Sequence, residues 1–230
     1  MKDEIILHPS SLIPHPSSFT PMFITLEGPE GAGKTTQLRG LAEFLRGRGF
    51  HVVTTREPGG TAIGDQIRHV LHDTDNAAMS PTAEVLLYAA SRAQLVAEVI
   101  RPALAAGHVV LCDRYADSTM AYQGYGRGLD RGNLAALTAI ATGGLRPDLT
   151  LLLDLDVERG LARRRDMGEE MNRLDLETVE FHRRVREGYL ALAAAEPARW
   201  LRIDADRPGD EVQSDLRRAV LARLETINAE

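Results

Sequence analysis

The chain reads as an α/β protein, a parallel sheet with helices packed against both faces. Three observations predict this. Five short apolar runs, 22–27, 51–55, 108–113, 149–156 and 200–204, are continuous rather than alternating, as strands buried on both faces require. Longer stretches such as 34–48 and 82–106 separate them and suit crossover helices. The first run leads straight into a glycine-rich loop and then a helical pattern. Ligands of such sheets bind beyond the carboxyl ends of the strands. Glu27, Asp113 and Asp154 fall near strand ends and are expected to face that mouth.

Before the first strand, residues 1–21 differ from the rest. His-Pro-Ser-Ser recurs at positions 8 and 15, and four prolines lie between 9 and 21. Proline at that density blocks helix and ladder hydrogen bonds, and the stretch lacks the apolar core of a secretory signal. It reads as a disordered tail, with Met22 as a candidate start. Residues 22–230 then read as a single domain, since 230 residues at 43% hydrophobic composition supply one substantial core. The net charge of −6 argues against nucleic acid or an anionic membrane as partner. No apolar run approaches the roughly 18 residues of a membrane-spanning helix. The single cysteine, Cys112, reads as a small buried strand residue. It excludes a disulfide within the chain and fits a reducing cytoplasm. The seven histidines show no ligand spacing.

The loop after the first strand carries the first functional signal. Gly28-Pro29-Glu30-Gly31-Ala32-Gly33-Lys34-Thr35 matches GxxxxGK[ST] between a strand and a helix, with Thr36 next. Glycines let such a loop turn its N–H groups around phosphate oxygens, and the helix N-terminus adds positive potential. Lys34 is expected to reach the β and γ phosphates of a bound nucleotide, and the Thr35 hydroxyl to ligate Mg²⁺. The chain has 25 arginines and only two lysines, Lys2 and Lys34. A lysine kept inside this loop suggests a place for a compact ammonium that a planar guanidinium cannot fill. A phosphate-binding loop alone leaves the acceptor open. No lysine follows Lys34, so an Asn-Lys-x-Asp guanine signature is absent. Few aromatics and a negative charge disfavour a nucleic-acid motor.

Four further stretches narrow the choice: "TREPGGT" (55–61), "LLYAASR" (86–92), "DRYADSTMAYQGYGRG" (113–128) and "RRRDMGEEMNRLD" (163–175). Together with "FITLEGPEGAGKTTQ" (23–37) they resemble the thymidylate kinases, in family order from Met22 to about Ala205. The resemblance implies a P-loop fold with a five-stranded parallel sheet and an arginine-rich helical lid. It implies phosphorylation of dTMP to dTDP with Mg²⁺ and ATP, for dTTP synthesis, in a homodimer.

The resemblance also proposes roles. Asp113, which by itself reads equally well as a helix cap, is expected near Mg²⁺ or its waters because its strand ends beside the phosphate loop. In the resemblance Arg114 would bind the acceptor phosphate with a two-pronged guanidinium. Tyr88 and Arg92, four apart on one helical face, would stack on thymine and reach a base oxygen. Thr119, Tyr122 and Gln123 resemble positions that hold base and sugar, and Arg56 and Pro58 would line the acceptor pocket. Glu30, an acid in an anion-binding loop, would face the acceptor's sugar hydroxyl. The loop positions 29–32 contain no arginine, so the lid is expected to supply that charge. Arg163, Arg165 and Arg173 stand ahead of Arg164 for this role. Met167 stands where the resemblance would place an arginine, and Asn172 where an aspartate is usual. A surface salt-bridge face with Asp166, Glu169 and Glu170 is the alternative for the same run.

Overall fold

The computed structural model describes residues 21–166, 168 and 171–229. The disordered tail expected over 1–21 thus falls outside the described residues except at Pro21. The chain runs β1 (Met22–Glu27), α1 (Lys34–Arg46), β2 (Val52–Arg56), α2 (Ala62–His72), α3 (Pro81–Leu95), α4 (Arg101–Ala105) and β3 (Val109–Asp113). It continues through α5 (Ala116–Thr119), α6 (Arg131–Thr142), β4 (Leu149–Asp154), α7 (Val157–Asp166), α8 (Val179–Ala195), β5 (Trp200–Asp204) and α9 (Gly209–Ala229).

The strands form one five-stranded parallel sheet in the order β2-β3-β1-β4-β5. β1 lies at its centre, with Ile24 beside Leu111 on one side and Leu149 on the other. Both faces of β1 and β4 are buried, which explains their unbroken apolar sequence. On one face Ile24, Leu26 and Leu151 pack with Leu41 of α1 and Leu216 of α9. On the other, Phe23 and Val110 pack with Leu95 and Ile100. Trp200 and Leu152 meet Tyr189 of α8 there too.

Local signals set the helix starts. Thr61, Ser80, Asp130 and Thr178 each accept a backbone N–H in the first turn of α2, α3, α6 and α8. The single helix expected over 82–106 is α3, a π-helical turn at 96–100 and α4 in unbroken succession. Pro102, at the start of α4, has no N–H to give the preceding turn, and the wider π turn lies immediately before it. A second π-helical stretch spans 120–126 and turns Tyr122 and Gln123 toward the carboxyl ends of the strands.

Candidate active site

A cavity of about 330 Å³ opens at the carboxyl ends of β1, β2 and β3. Its floor on one side is the glycine-rich loop. A Cβ on Gly31 would lie 2.1 Å from the Gly160 carbonyl, and one on Gly28 2.3 Å from that of Leu153. The loop backbone is therefore seated directly on β4 and α7. Glu30, Gly31, Gly33, Lys34, Thr35 and Thr36 line the cavity. Gly28, Pro29 and Ala32 do not. The carbonyls of Gly28 and Pro29 accept from Lys34 Nζ at 3.0 and 2.8 Å, and Ala32 packs into the core. Lys34 is only 7% exposed. Burial and then neighbouring Arg114 pull its ammonium down to about 8, opposed by Glu30 and Asp113.

Arg114 joins the loop to the rest of the cavity. Its Nη1 donates to the Gly28 carbonyl and to the Tyr189 hydroxyl, both at 3.0 Å. Its Nη2 donates to Glu30 Oε1 at 2.8 Å, and its guanidinium stacks 5.0 Å above the Tyr122 ring. Glu30 Oε1 also accepts from the Tyr122 hydroxyl at 2.8 Å. Burial alone would raise the Glu30 carboxyl, but Arg114, then Lys34 and Tyr122, hold it at about 2. Glu30 is thus turned away from the amides of its own loop and toward the opposite wall. At the loop's end Thr35 Oγ1 donates to Asp113 Oδ2 at 2.5 Å. That pair supplies the hard oxygen ligands that suit Mg²⁺.

The far wall is built by α3, α5 and the π-helical stretch. Tyr88, Arg92, Thr119, Tyr122 and Gln123 all line it, and Arg56 and Pro58 close one side. Arg92 is 2% exposed and gives Nε and Nη2 to Glu57, with Nη2 also reaching the Tyr115 carbonyl. None of these contacts uses Nη1.

A sequence model of the thymidylate kinase family matches residues 26–216. The chain belongs to the thymidylate kinase family. A thymidylate kinase of Deinococcus radiodurans is 56% identical over 202 residues, covering 88% of this chain and 97% of that protein. One of Geotalea uraniireducens is 55% identical over 207 residues, with the same two coverages. The crystal structure of thymidylate kinase from Ehrlichia chaffeensis superposes with a TM-score of 0.72 at 32% identity, covering 87% of this chain and 98% of that one. Enzymes of this family are kinases that phosphorylate dTMP to dTDP with ATP.

Against that family frame, two expectations about placement change. Of the strand-end carboxylates only Asp113 lines the cavity. Asp154 receives Arg186 at 2.7 Å and Arg202 at 2.6 Å, and Glu27 is fully buried. In the lid segment Arg163, Arg165 and Arg173 do not line the cavity, whereas Arg164 does, with Asn172 and Leu174. Arg163 bonds the Ala205 carbonyl and Asp206, and Arg164 pairs with Asp175 at 3.2 Å. Arg173 is 8% exposed and bonds the Leu71 carbonyl and Glu84. Met167, Glu169 and Glu170 lie outside the described residues, so the alternative salt-bridge face is described only at Asp166, which is exposed.

Sequence reasoning missed Arg68, His72, Ser118 and Tyr189, and placed Glu27 at the mouth rather than in a buried cluster. Arg68 and His72 line the cavity from α2, and their spacing of four was the available signal. Burial and then Arg68 push His72 down to about 4, so it is neutral near pH 7. Glu27 Oε2 accepts from Ser118 and Tyr189 at 2.6 and 2.9 Å, and Oε1 from the Tyr115 amide. Burial, then Asp117, raises its carboxyl to about 7. No local pattern announces that cluster, which spans residues 27 to 189.

Proposed function

We propose that this chain transfers the γ-phosphoryl of Mg-ATP in line to the 5′ phosphate of dTMP. The observation that carries the reading is Arg114, one side chain bonded both to the phosphate-loop carbonyl of Gly28 and to Glu30 on the nucleoside side. The acceptor is already a phosphate oxyanion, so no strong general base is needed, and catalysis is positioning and charge neutralisation. The loop amides and Lys34 hold the donor phosphates. Arg114, with Arg68 and Arg56 nearby, receives the acceptor phosphate. Thr35 and Asp113 would hold Mg²⁺, which neutralises charge on the transferring group. Glu30 accepts from the sugar hydroxyl, Tyr88 stacks on the base, and Arg92 Nη1 and Gln123 meet its edge. From the lid, Arg164 approaches the phosphates, a reading supported by its position in the cavity lining.

The enzyme works in the cytoplasm on the nucleotide pool it draws from, and as a homodimer. Leu86 of α3 and Ile140 of α6 are 52% and 81% exposed and flank an apolar groove with Ala90, Ala93 and Leu137. That face supports association with a second copy. A coupled assay of ADP release with a panel of monophosphates tests the activity. Turnover should require dTMP, with dCMP and purine monophosphates far slower. Slow hydrolysis indifferent to the acceptor would overturn it.

A further inference from the structure

Glu84 is fully buried near the start of α3, one turn before Tyr88, and does not itself line the cavity. Its Oε1 accepts from Gln123 Nε2 at 2.8 Å and from Arg127 Nε at 2.7 Å. Its Oε2 accepts from Arg127 Nη2 at 2.9 Å and from Arg173. Burial would raise this carboxyl, but the hydrogen bonds of Arg127 and Gln123, with Arg173, bring it below the ordinary range. It is therefore ionised near pH 7 and can only accept.

That fact fixes the neighbouring amide. A glutamine presents a donor end and an acceptor end, and an ionised carboxylate takes only the donor end. Gln123 is 1% exposed, lines the cavity, and has its nitrogen committed to Glu84. The amide oxygen is the end left for a bound base. A thymine or uracil ring carries N–H at the 3-position and complements that oxygen. Cytosine carries an acceptor there at neutral pH and meets it oxygen to nitrogen lone pair.

We propose that Glu84 is a positioning residue for base selection. By fixing the Gln123 amide with its oxygen toward the cavity, it favours a pyrimidine with a ring N–H over one whose ring nitrogen accepts. This rests on the cavity being the acceptor-nucleotide site. A carboxylate serving only Arg127 and Arg173 would be needed for stability but would leave the choice of base unchanged.

The test is the ratio of kcat/KM for dTMP to that for dCMP, measured on the full chain beside its melting temperature. In Glu84→Gln the replacement amide can itself face either way, so Gln123 is free to invert. The ratio should fall by about tenfold or more, the worth of one well-made hydrogen bond turned into a mismatch. Arg127→Gln removes the donors that Arg127 gives to both Glu84 oxygens but keeps the Gln123 bond. It should lower the melting temperature while leaving the ratio within about twofold, since it does not touch the Glu84–Gln123 bond. Should Glu84→Gln not fold, Glu84→Asp keeps the charge for the arginines and withdraws it from Gln123 by one methylene, with the same fall expected. An unchanged ratio in a folded Glu84 variant, or an equal fall in Arg127→Gln, overturns the proposal. A parent enzyme that does not prefer dTMP at all overturns the reading of the cavity, a result visible before any variant is made.

Discussion

Arg114 bridges the two halves of the site because its backbone lies in the left-handed region, at φ 68. That turn sends its guanidinium back over β1 to the phosphate loop, a conformation uncommon for a residue with a Cβ. Around it the charges are unevenly screened, and two residues give separate tests. Lys34→Met should keep the fold and reduce turnover by at least about a thousandfold, because transition-state charge loses its nearest compact cation. Steady-state rates beside a circular dichroism melt decide it, and near-normal turnover would remove the loop from the chemistry. Glu27 gives a pH test. Its carboxyl is raised to about 7 from the ordinary 4.5. The folded state therefore holds its proton over that window while the unfolded chain has lost it. The stability this provides is complete below about 4.5 and is lost as pH rises through about 7. Glu27→Gln cannot ionise. Relative to the parent, its unfolding free energy should improve from pH 5 to pH 8 by up to about 3 kcal/mol, at 1.36 kcal/mol per pH unit. Urea unfolding of both proteins at the two pH values measures this, and the difference cancels His72, whose depressed value works in the opposite direction. A difference that stays flat would show that burial does not hold that proton.

The lid segment shows what helical geometry does to a run of like residues. Arg163, Arg164 and Arg165 are consecutive on α7, so they point about 100° apart and cannot share one face. Packing chooses among them: Arg163 turns to the β5–α9 connection at Ala205 and Asp206, which leaves Arg164 over the cavity. Arg173, beyond the helix, is drawn inward to Glu84 instead. Arg164→Ala should therefore lower kcat by about a hundredfold or more with little change in KM for dTMP, as expected of a contact made mainly in the transition state. Arg173→Ala should do the reverse. It should cost about 3 kcal/mol of stability, at the low end for a broken buried pair because Arg127 still neutralises Glu84. Its kcat at a temperature where it is folded should remain within threefold or so of the parent. Rates and melts on the two variants separate the roles, and interchanged results would return Arg173 to the chemistry.

At the scale of the molecule, the apolar face of α3 and α6 predicts the assembly state. Leu86→Glu combined with Ile140→Glu should convert a dimer to a monomer in sedimentation experiments, since charge in an apolar contact is left unpaired. A parent that sediments as a monomer would remove the dimer from the proposal. Much of the rest was legible in one dimension. Apolar periodicity, the GxxxxGK[ST] spacing and the four-residue interval of Tyr88 and Arg92 are properties of neighbours along the chain. They determined the order of strands and helices, the phosphate loop and the shared face of Tyr88 and Arg92, while the cavity's far wall was implied by the resemblance to the thymidylate kinases. What they could not determine is which distant residues meet. β3 lies between β1 and β2 in the sheet, which brings Asp113 to Thr35 across 78 positions. Packing of α3 against the lid's return brings Arg173 to Glu84 across 89. Glu27 and Asp154 end their strands as Asp113 does, yet Ser118 and Tyr189 enclose one, and Arg186 and Arg202 pair with the other. A local pattern can say that a carboxylate sits at a strand's end. Only the fold decides whether a cation, a hydroxyl or a cavity waits there, because those partners arrive from elements whose contacts are set by the burial of the whole sheet.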